Sequence, residues 1–264
     1  MPLTRILLGA AALAGGSYLC AVAIALAPAS NLDIQATLDP PADFKSSRAF
    51  VVANPHKHKG STEALWTTIR VPAGLADGKI ITRFLRGFFY GAVIFPERVL
   101  IDRLYGREIV NFQCPGAASA VNLNLRTASS LPAEGPPPVG SKLWGTFQVL
   151  DSEQGSASGA LSAADTSQNS SSTSTQVFVD LGFGFNGPRS IFAGMHRVAV
   201  VRQPASGDGE AVDTVTVSYL AHACNPSEDR PVSALLFAFH RVYARLLFRN
   251  GVAAVLAISN STRC

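Results

Sequence analysis

An uncharged N-terminal segment, which runs from Ile6 to Ala27, constrains the architecture of this chain more than any other feature. A helix over this segment rises about 1.5 Å per residue and is long enough to span a hydrocarbon core of roughly 30 Å. It shows no polar face, which argues against a helix buried inside a water-soluble domain. Arg5 precedes the segment and three aspartates follow it before Lys45, so the positive-inside rule predicts a cytosolic N-terminus and a lumenal or extracellular remainder.

Residues 1–27 are therefore expected to act as a signal-anchor, with 6–27 in contact with the membrane. The tripeptide Ala27-Pro28-Ala29 matches the Ala-x-Ala pattern of signal-peptide cleavage sites, and cleavage there would give a secreted protein. The apolar segment is longer than a usual signal-peptide core, which favours an uncleaved single-pass anchor.

Two glycosylation sequons agree with this compartment and predict a glycoprotein: they begin at Asn169 and Asn260. Three cysteines follow the leader, at Cys114, Cys224 and Cys264, and permit one disulfide with one thiol left over. Their spacing does not select the pair. None has the C-x-x-C spacing that is typical of zinc and redox sites.

Composition and motifs argue against several other classes of protein. The net charge of +4 is scattered along the chain, without the basic cluster that nucleic-acid binding requires. The Gly-x-Gly at Gly182 has no lysine and no helix after it, so no phosphate cradle is predicted. His56 and His58 alternate like metal ligands, but a lysine-rich loop without an acidic neighbour favours exposed histidines. We therefore predict no metal and no cofactor.

After a polar, proline-containing connector over 28–60, the chain predicts one α+β domain over 61–258. A strand over 65–72 precedes two helices between 77 and 105, the second of which starts at Pro96. Four alternating segments then predict an antiparallel sheet, at 143–150, 176–185, 194–203 and 214–223. A Ser-rich insertion over 151–175 separates the first two and is too poor in apolar residues to order itself.

The last predicted helix runs from Pro231 to about Asn250 and carries an apolar stripe at helical spacing. Gly251 would end it in a left-handed cap. Arg241, Arg245 and Arg249 form a row on this helix, which is typical of a solvated face and could alternatively meet an anionic head group.

Three short motifs carry a resemblance to a known superfamily. A Trp-x-x-x-Arg-Val-Pro strand (Trp66 to Pro72), a Gly-Met-His-Arg strand (194–197) and a Phe-His-Arg-x-Tyr helix (Phe239 to Tyr243) resemble a family of uncharacterised proteins within the START-like, or helix-grip, superfamily. The resemblance implies an antiparallel sheet that grips the long C-terminal helix around an apolar cavity. It further implies a lipid, sterol or polyketide as ligand, since members of known role bind or transform such molecules.

On that basis, the hypothesis is a membrane-anchored domain that binds a hydrophobic small molecule or lipid. The apolar face of 177–185, which alternates with Asp180, Gly182 and Gly184, and the closing helix would line the cavity. The candidate ligand-binding residues are Phe88, Phe183, Tyr219, Phe239 and Tyr243. The aromatic patch around Phe88 could be a lid or a membrane-dipping surface, although core packing explains it as well.

Two alternatives of other classes stay open. The protein could be an enzyme in which Asp180 forms an acid–base pair with His196 or His222, because imidazole titrates near neutral pH. Histidines at a sheet surface or hydrogen-bonded in the core are the more ordinary explanation. The protein could also be a structural or interaction protein whose core is filled by its own side chains.

Overall fold

The structure, a computed structural model, describes residues 15–106, 108–113, 121–153, 176–184, 192–203, 212–231 and 233–261. Its helices are α1 (15–26), α2 (Ala42–Ser46), α3 (Arg48–Ala53), α4 (Asp77–Tyr90), α5 (Phe95–Tyr105) and α6 (Ala234–Ser261). Its strands are β1 (Gln35–Thr37), β2 (Gly60–Pro72), β3 (Asn124–Leu125), β4 (Lys142–Leu143), β5 (Phe147–Glu153), β6 (Gln176–Gly184), β7 (Ala193–Arg202) and β8 (Val212–Cys224).

The described strands form one sheet in the order β1-β2-β8-β7-β6-β5-β4-β3, and every pair except β3–β4 is antiparallel. The α+β class, the antiparallel sheet and the packing of a long C-terminal helix on it are thus confirmed. The two predicted helices between 77 and 105 are present, with Pro96 in the first turn of α5, and so are the predicted strands at 176–185, 194–203 and 214–223. The predicted strand at 143–150 is instead divided into β4 and β5.

The two faces of the sheet are covered by different helices. The inner face packs against α4 and α6 and contributes the odd positions of β6 and β8, such as Val179 and Val217, to the main core. The outer face packs against α2 and α3, where Phe44 and Met195 belong to a second, smaller cluster. Alternating side chains of a strand point to opposite faces, so residue parity decides which cluster each side chain joins.

The segment over 28–60 is part of the domain, which corrects its interpretation as a connector. It adds β1 to the edge of the sheet beside β2 and lays α2 and α3 over the outer face. Phe44 is fully buried there, and Phe50 packs against the same cluster. Packing of Phe44 and Phe50 against this face accounts for the two short helices, even though the surrounding residues are polar.

The closing helix is longer than expected, because α6 continues through Asn250 and Gly251 to Ser261. The prediction that Gly251 ends the helix is therefore wrong. A Cβ atom at Gly251 would lie 2.6 Å from the ring of Phe84 on α4, and one at Gly87 would lie 2.4 Å from the carbonyl oxygen of Asn250. The two glycines allow α4 and α6 to cross closely, which is a packing role and not a cap.

The leader is described only in part, since residues 1–14 lie outside the described ranges. Residues 15–26 form α1, whose Val22 and Leu26 pack against the main core, while Leu19 is 67% exposed. Among the described helices, none is both long and apolar enough to cross a membrane. The membrane anchor over 6–27 stays a prediction.

Other predicted features also fall outside the described residues. These are Asn169 with most of the Ser-rich insertion, and the cysteines Cys114 and Cys264. Asn260 lies in the last turn of α6. Cys224 is buried and unpaired within the described part of the chain.

Candidate functional site

A cavity of about 840 Å³ lies between the inner face of the sheet, the junction of α4 and α5, and the first half of α6. Side chains from β5, β7 and β8 form its floor, and α1 closes one side through Tyr18. Its walls are mainly apolar and aromatic, as in small-molecule sites. The lining residues used below are Tyr18, Phe88, Glu97, Phe147, His196, Tyr219, Ala223, Phe239, His240 and Tyr243.

Four of the five candidate ligand-binding residues line this cavity: Phe88, Tyr219, Phe239 and Tyr243. Phe183 lies one layer behind, where its ring packs edge-on against His196 at a centroid distance of 4.6 Å. The apolar face of β6 is therefore part of the core beneath the cavity, and β5, β7 and β8 supply the floor instead.

The aromatic patch around Phe88 divides between core and cavity. Phe88, Phe89 and Ile94 are all buried in the main core, and Phe88 and Ile94 also line the cavity. Phe95 points outward and is 56% exposed. Core packing therefore accounts for most of the patch, and α5 carries the exposed remainder.

His196 and Tyr219 bring polar atoms to the inner end of the cavity. Both lie on the inner face of the sheet, and their rings meet edge-on with centroids 5.1 Å apart. Burial lowers the pKa of the His196 imidazole well below 6.5 and raises the pKa of the Tyr219 phenol well above 10.0. Both side chains are therefore uncharged at neutral pH.

A second polar group lies at the outer end, where Glu97 of α5 is close to the phenol of Tyr243 of α6. Burial raises the pKa of Glu97, and the nearby Tyr243 hydroxyl opposes that rise. This contact ties α5 to α6 across the cavity. Tyr18 also reaches this region, because its hydroxyl donates to the carbonyl oxygen of Val93 at 3.3 Å.

His240 faces the cavity and lies beside Glu63 of β2, with 3.4 Å between Nε2 and Oε1. The two atoms are close but not aligned as a hydrogen bond. Burial raises the pKa of Glu63 to about 7, against the opposing effect of Arg241 and Arg245, and burial lowers the pKa of His240. Arg241 and Arg245 of the predicted row are exposed and act on this carboxyl group through their charge, whereas Arg249 donates to the carbonyl oxygen of Ser30 at 2.7 Å.

The structure does not assemble the acid–base pair of the enzyme hypothesis. Asp180 lies on the outer face, fully buried, and accepts two hydrogen bonds of 2.7 Å from Arg197. His196 is on the opposite face of the sheet. His222 is on the outer face but accepts a 3.2 Å hydrogen bond from the amide of Asn54, and burial lowers its pKa to about 4.

The outer face of β6, to which Gly182 belongs, is also covered by side chains. A Cβ atom at Gly182 would lie 2.8 Å from the ring of Phe112, so the absence of a side chain at Gly182 makes room for that ring. His56 and His58 stack on each other, and the described residues contain no group of three or more potential metal ligands.

Sequence patterns did not reveal every part of the cavity. Tyr18 and Phe147 were not among the candidates, although Tyr18 is the one aromatic residue between Ile6 and Ala27 and could have been singled out on that ground.

No protein-family model matches the sequence, and a comparison with curated proteins finds no match.

Proposed function

We propose that this protein is a membrane-anchored domain, lumenal or extracellular, that binds a hydrophobic small molecule or lipid in its apolar cavity. The observation that carries the proposal is the cavity of about 840 Å³, which falls within the range of roughly 300–1,000 Å³ typical of small-molecule sites. A protein whose core is filled by its own side chains would not retain such a volume, since interiors are close-packed.

The surface around the cavity supports a position next to a bilayer. Helix α5 exposes a run of large apolar side chains, among them Leu100 and Leu104. The first half of α6 does the same with Leu236 and Phe239, which is 68% exposed. Contiguous exposed apolar surface is typical of sites that meet a membrane or a partner, and here it surrounds the rim of an apolar cavity.

The path of the leader favours the membrane as that partner. Tyr18 lies by Val93 at the outer end of the cavity, and Arg249, toward the other end of α6, donates to Ser30. Helix α1 therefore reaches the cavity through Tyr18. An anchor over 6–27 would then hold the rim close to the bilayer, where a lipid could pass without crossing water.

The helix-grip interpretation belongs to the same proposal. A strand, two helices, antiparallel strands and a long helix on the inner face, with a cavity between helix and sheet, fit that arrangement. We propose the START-like superfamily as the relationship, and the three short motifs of the sequence are its support.

The test is native mass spectrometry with lipid extraction, on the full-length protein purified from a secretory host. We expect a co-purifying hydrophobic molecule, and expect the variant Ala223→Phe, which places a ring in the cavity, to lose it. Ala36→Phe on the exposed edge of β1 is the matched control and should retain the molecule. An empty protein that also takes up nothing from a lipid panel would refute the proposal.

A further inference from the structure

We propose that the inner end of the cavity binds an uncharged oxygen, the hydroxyl or carbonyl group of the hydrophobic ligand, through His196 and Tyr219. This inference rests on the proposed function and specifies the chemical class of the ligand: a neutral, oxygen-bearing lipid, not a hydrocarbon and not a carboxylic acid.

The two side chains are placed together by the sheet. His196 on β7 pairs with Ala221, and Tyr219 on β8 pairs with Val198, so the two residues are diagonal neighbours on the inner face. Both line the cavity, and they are 5% and 0% exposed, respectively. Strands fix both backbones, which makes this a preformed site.

Each of the two side chains carries a polar atom that forms no hydrogen bond within the described part of the protein. Nδ1 of His196 and the hydroxyl of Tyr219 are buried, and no hydrogen-bond partner for either occurs among the described residues. Their neighbours are aromatic rings. The ring centroids of Phe88 and Tyr219 are 5.0 Å apart, and those of Phe147 and His196 are 5.5 Å apart. Buried polar groups in native proteins nearly always have a partner, and a ligand oxygen between the two would supply it.

The hydrogen-bonding chemistry of the pair suits a neutral oxygen. The phenol O–H of Tyr219 is a donor, and a neutral imidazole offers one N–H donor and one acceptor nitrogen. A carbonyl could accept from Tyr219, and a hydroxyl could accept from Tyr219 while it donates to His196. A hydrocarbon would leave both groups unpaired at a cost.

The local charges argue against a carboxylate at the same place. Arg230 is the one lysine or arginine among the described lining residues, and its side chain is 78% exposed at the rim. Glu63 and Glu97 are the acidic groups near Tyr219, and their charges favour its protonated form. An anion would therefore enter a buried site without a cation to balance it.

The experiment compares three probes of equal chain length: 1-hexadecanol, hexadecane and hexadecanoate. Binding to the full-length protein at pH 7.5 is quantified by native mass spectrometry in competition. We expect the alcohol to bind at least about tenfold more tightly than the other two, which is the size of one good hydrogen bond. Tyr219→Phe should abolish that preference by weakening the alcohol about tenfold while leaving the alkane unchanged.

A second variant serves as the matched control. Tyr90→Phe also deletes one hydroxyl, but that hydroxyl donates to the carbonyl oxygen of Leu125 and lies outside the cavity, so the preference should persist. Equal binding of all three probes, or a preference that survives Tyr219→Phe, would overturn the assignment of the polar end. Failure of any probe to bind would instead overturn the proposed function, and this inference with it.

Discussion

The hydroxyl of Tyr219 gives the structure a property that can be measured without knowing the ligand. Its ring is fully buried against Phe88, and its oxygen has no hydrogen-bond partner among the described residues. Replacement by phenylalanine keeps the ring and its packing and deletes only the oxygen. The ligand-free Tyr219→Phe protein should therefore be more stable than the wild type, although most substitutions in a core are destabilising.

The magnitude follows from the cost of an unpaired polar group. A buried donor without a partner costs about 1–3 kcal/mol, and removing it should raise the free energy of unfolding by that amount. In a protein of this size the gain corresponds to a rise of roughly 2–10 °C in melting temperature. The assay is differential scanning calorimetry on protein stripped of lipid, with the same scan repeated in the presence of 1-hexadecanol.

The opposite sign is expected at Tyr90, whose hydroxyl donates to Leu125 at 2.6 Å. Tyr90→Phe should lose about 1 kcal/mol, because its hydrogen bond is broken and the carbonyl left unpaired. A destabilised Tyr219→Phe protein would refute the reasoning, since it would show that the Tyr219 hydroxyl is already bonded. Addition of 1-hexadecanol should stabilise the wild type more than Tyr219→Phe.

Three further predictions concern the frame of the site. Arg197→Met should lower the free energy of unfolding by about 3–5 kcal/mol in urea titrations, because the buried carboxylate of Asp180 loses its counter-ion; loss below 1 kcal/mol would contradict this. Gly87→Ala should cost about 1–3 kcal/mol, since its Cβ would lie 2.4 Å from a backbone oxygen of α6, whereas Gly16→Ala, with open space around it, should cost nothing. Because burial raises the pKa of Glu63 to about 7 from 4.5, its stabilising contribution is complete below pH 4.5 and is lost as the pH rises through 7. The wild type should therefore lose up to about 3 kcal/mol of unfolding free energy between those pH values, and Glu63→Gln should not show this loss. If the substitution leaves the pH dependence of the unfolding free energy unchanged, Glu63 does not have this role.

Local sequence patterns were sufficient to predict much of the fold, because the spacing of apolar residues indicates which side of a strand or helix is buried. Alternation in 177–183 identified the buried face of β6, and helical spacing identified α4, α5 and α6. The errors arose where a long-range contact decides the outcome. Gly251 has the local signature of a helix end, yet the ring of Phe84 on α4 is what requires a glycine there. No pattern confined to α6 contains that information.

The covering of the outer face by α2 and α3 was missed for a similar reason. The segment over 28–60 is polar and contains Pro40-Pro41, and its few apolar residues give no clear period. Phe44 becomes a core residue only because the outer face of the sheet offers Met195 and Leu220 to pack against. The sequence of the segment does not show that this face exists.

The candidate site depends on which face of the sheet single residues occupy, and this explains which of its residues the sequence could predict and which it could not. In β7 the run Ala193-Gly-Met-His-Arg-Val-Ala-Val-Val-Arg202 is almost continuously apolar, so alternation does not tell which of His196 and Arg197 faces inward. A shift of one residue would exchange the two. The observed register pairs Asp180 with Arg197 and thereby sends His196 to the cavity. The charged pair of Asp180 and Arg197 lies on the outer face, and a neutral imidazole beside a neutral phenol lines the cavity. Such groups can hold an oxygen, and neither is hydrogen-bonded to a carboxylate in the described part of the chain. The register therefore separates His196 from Asp180 and does not assemble the acid–base pair of the enzyme hypothesis.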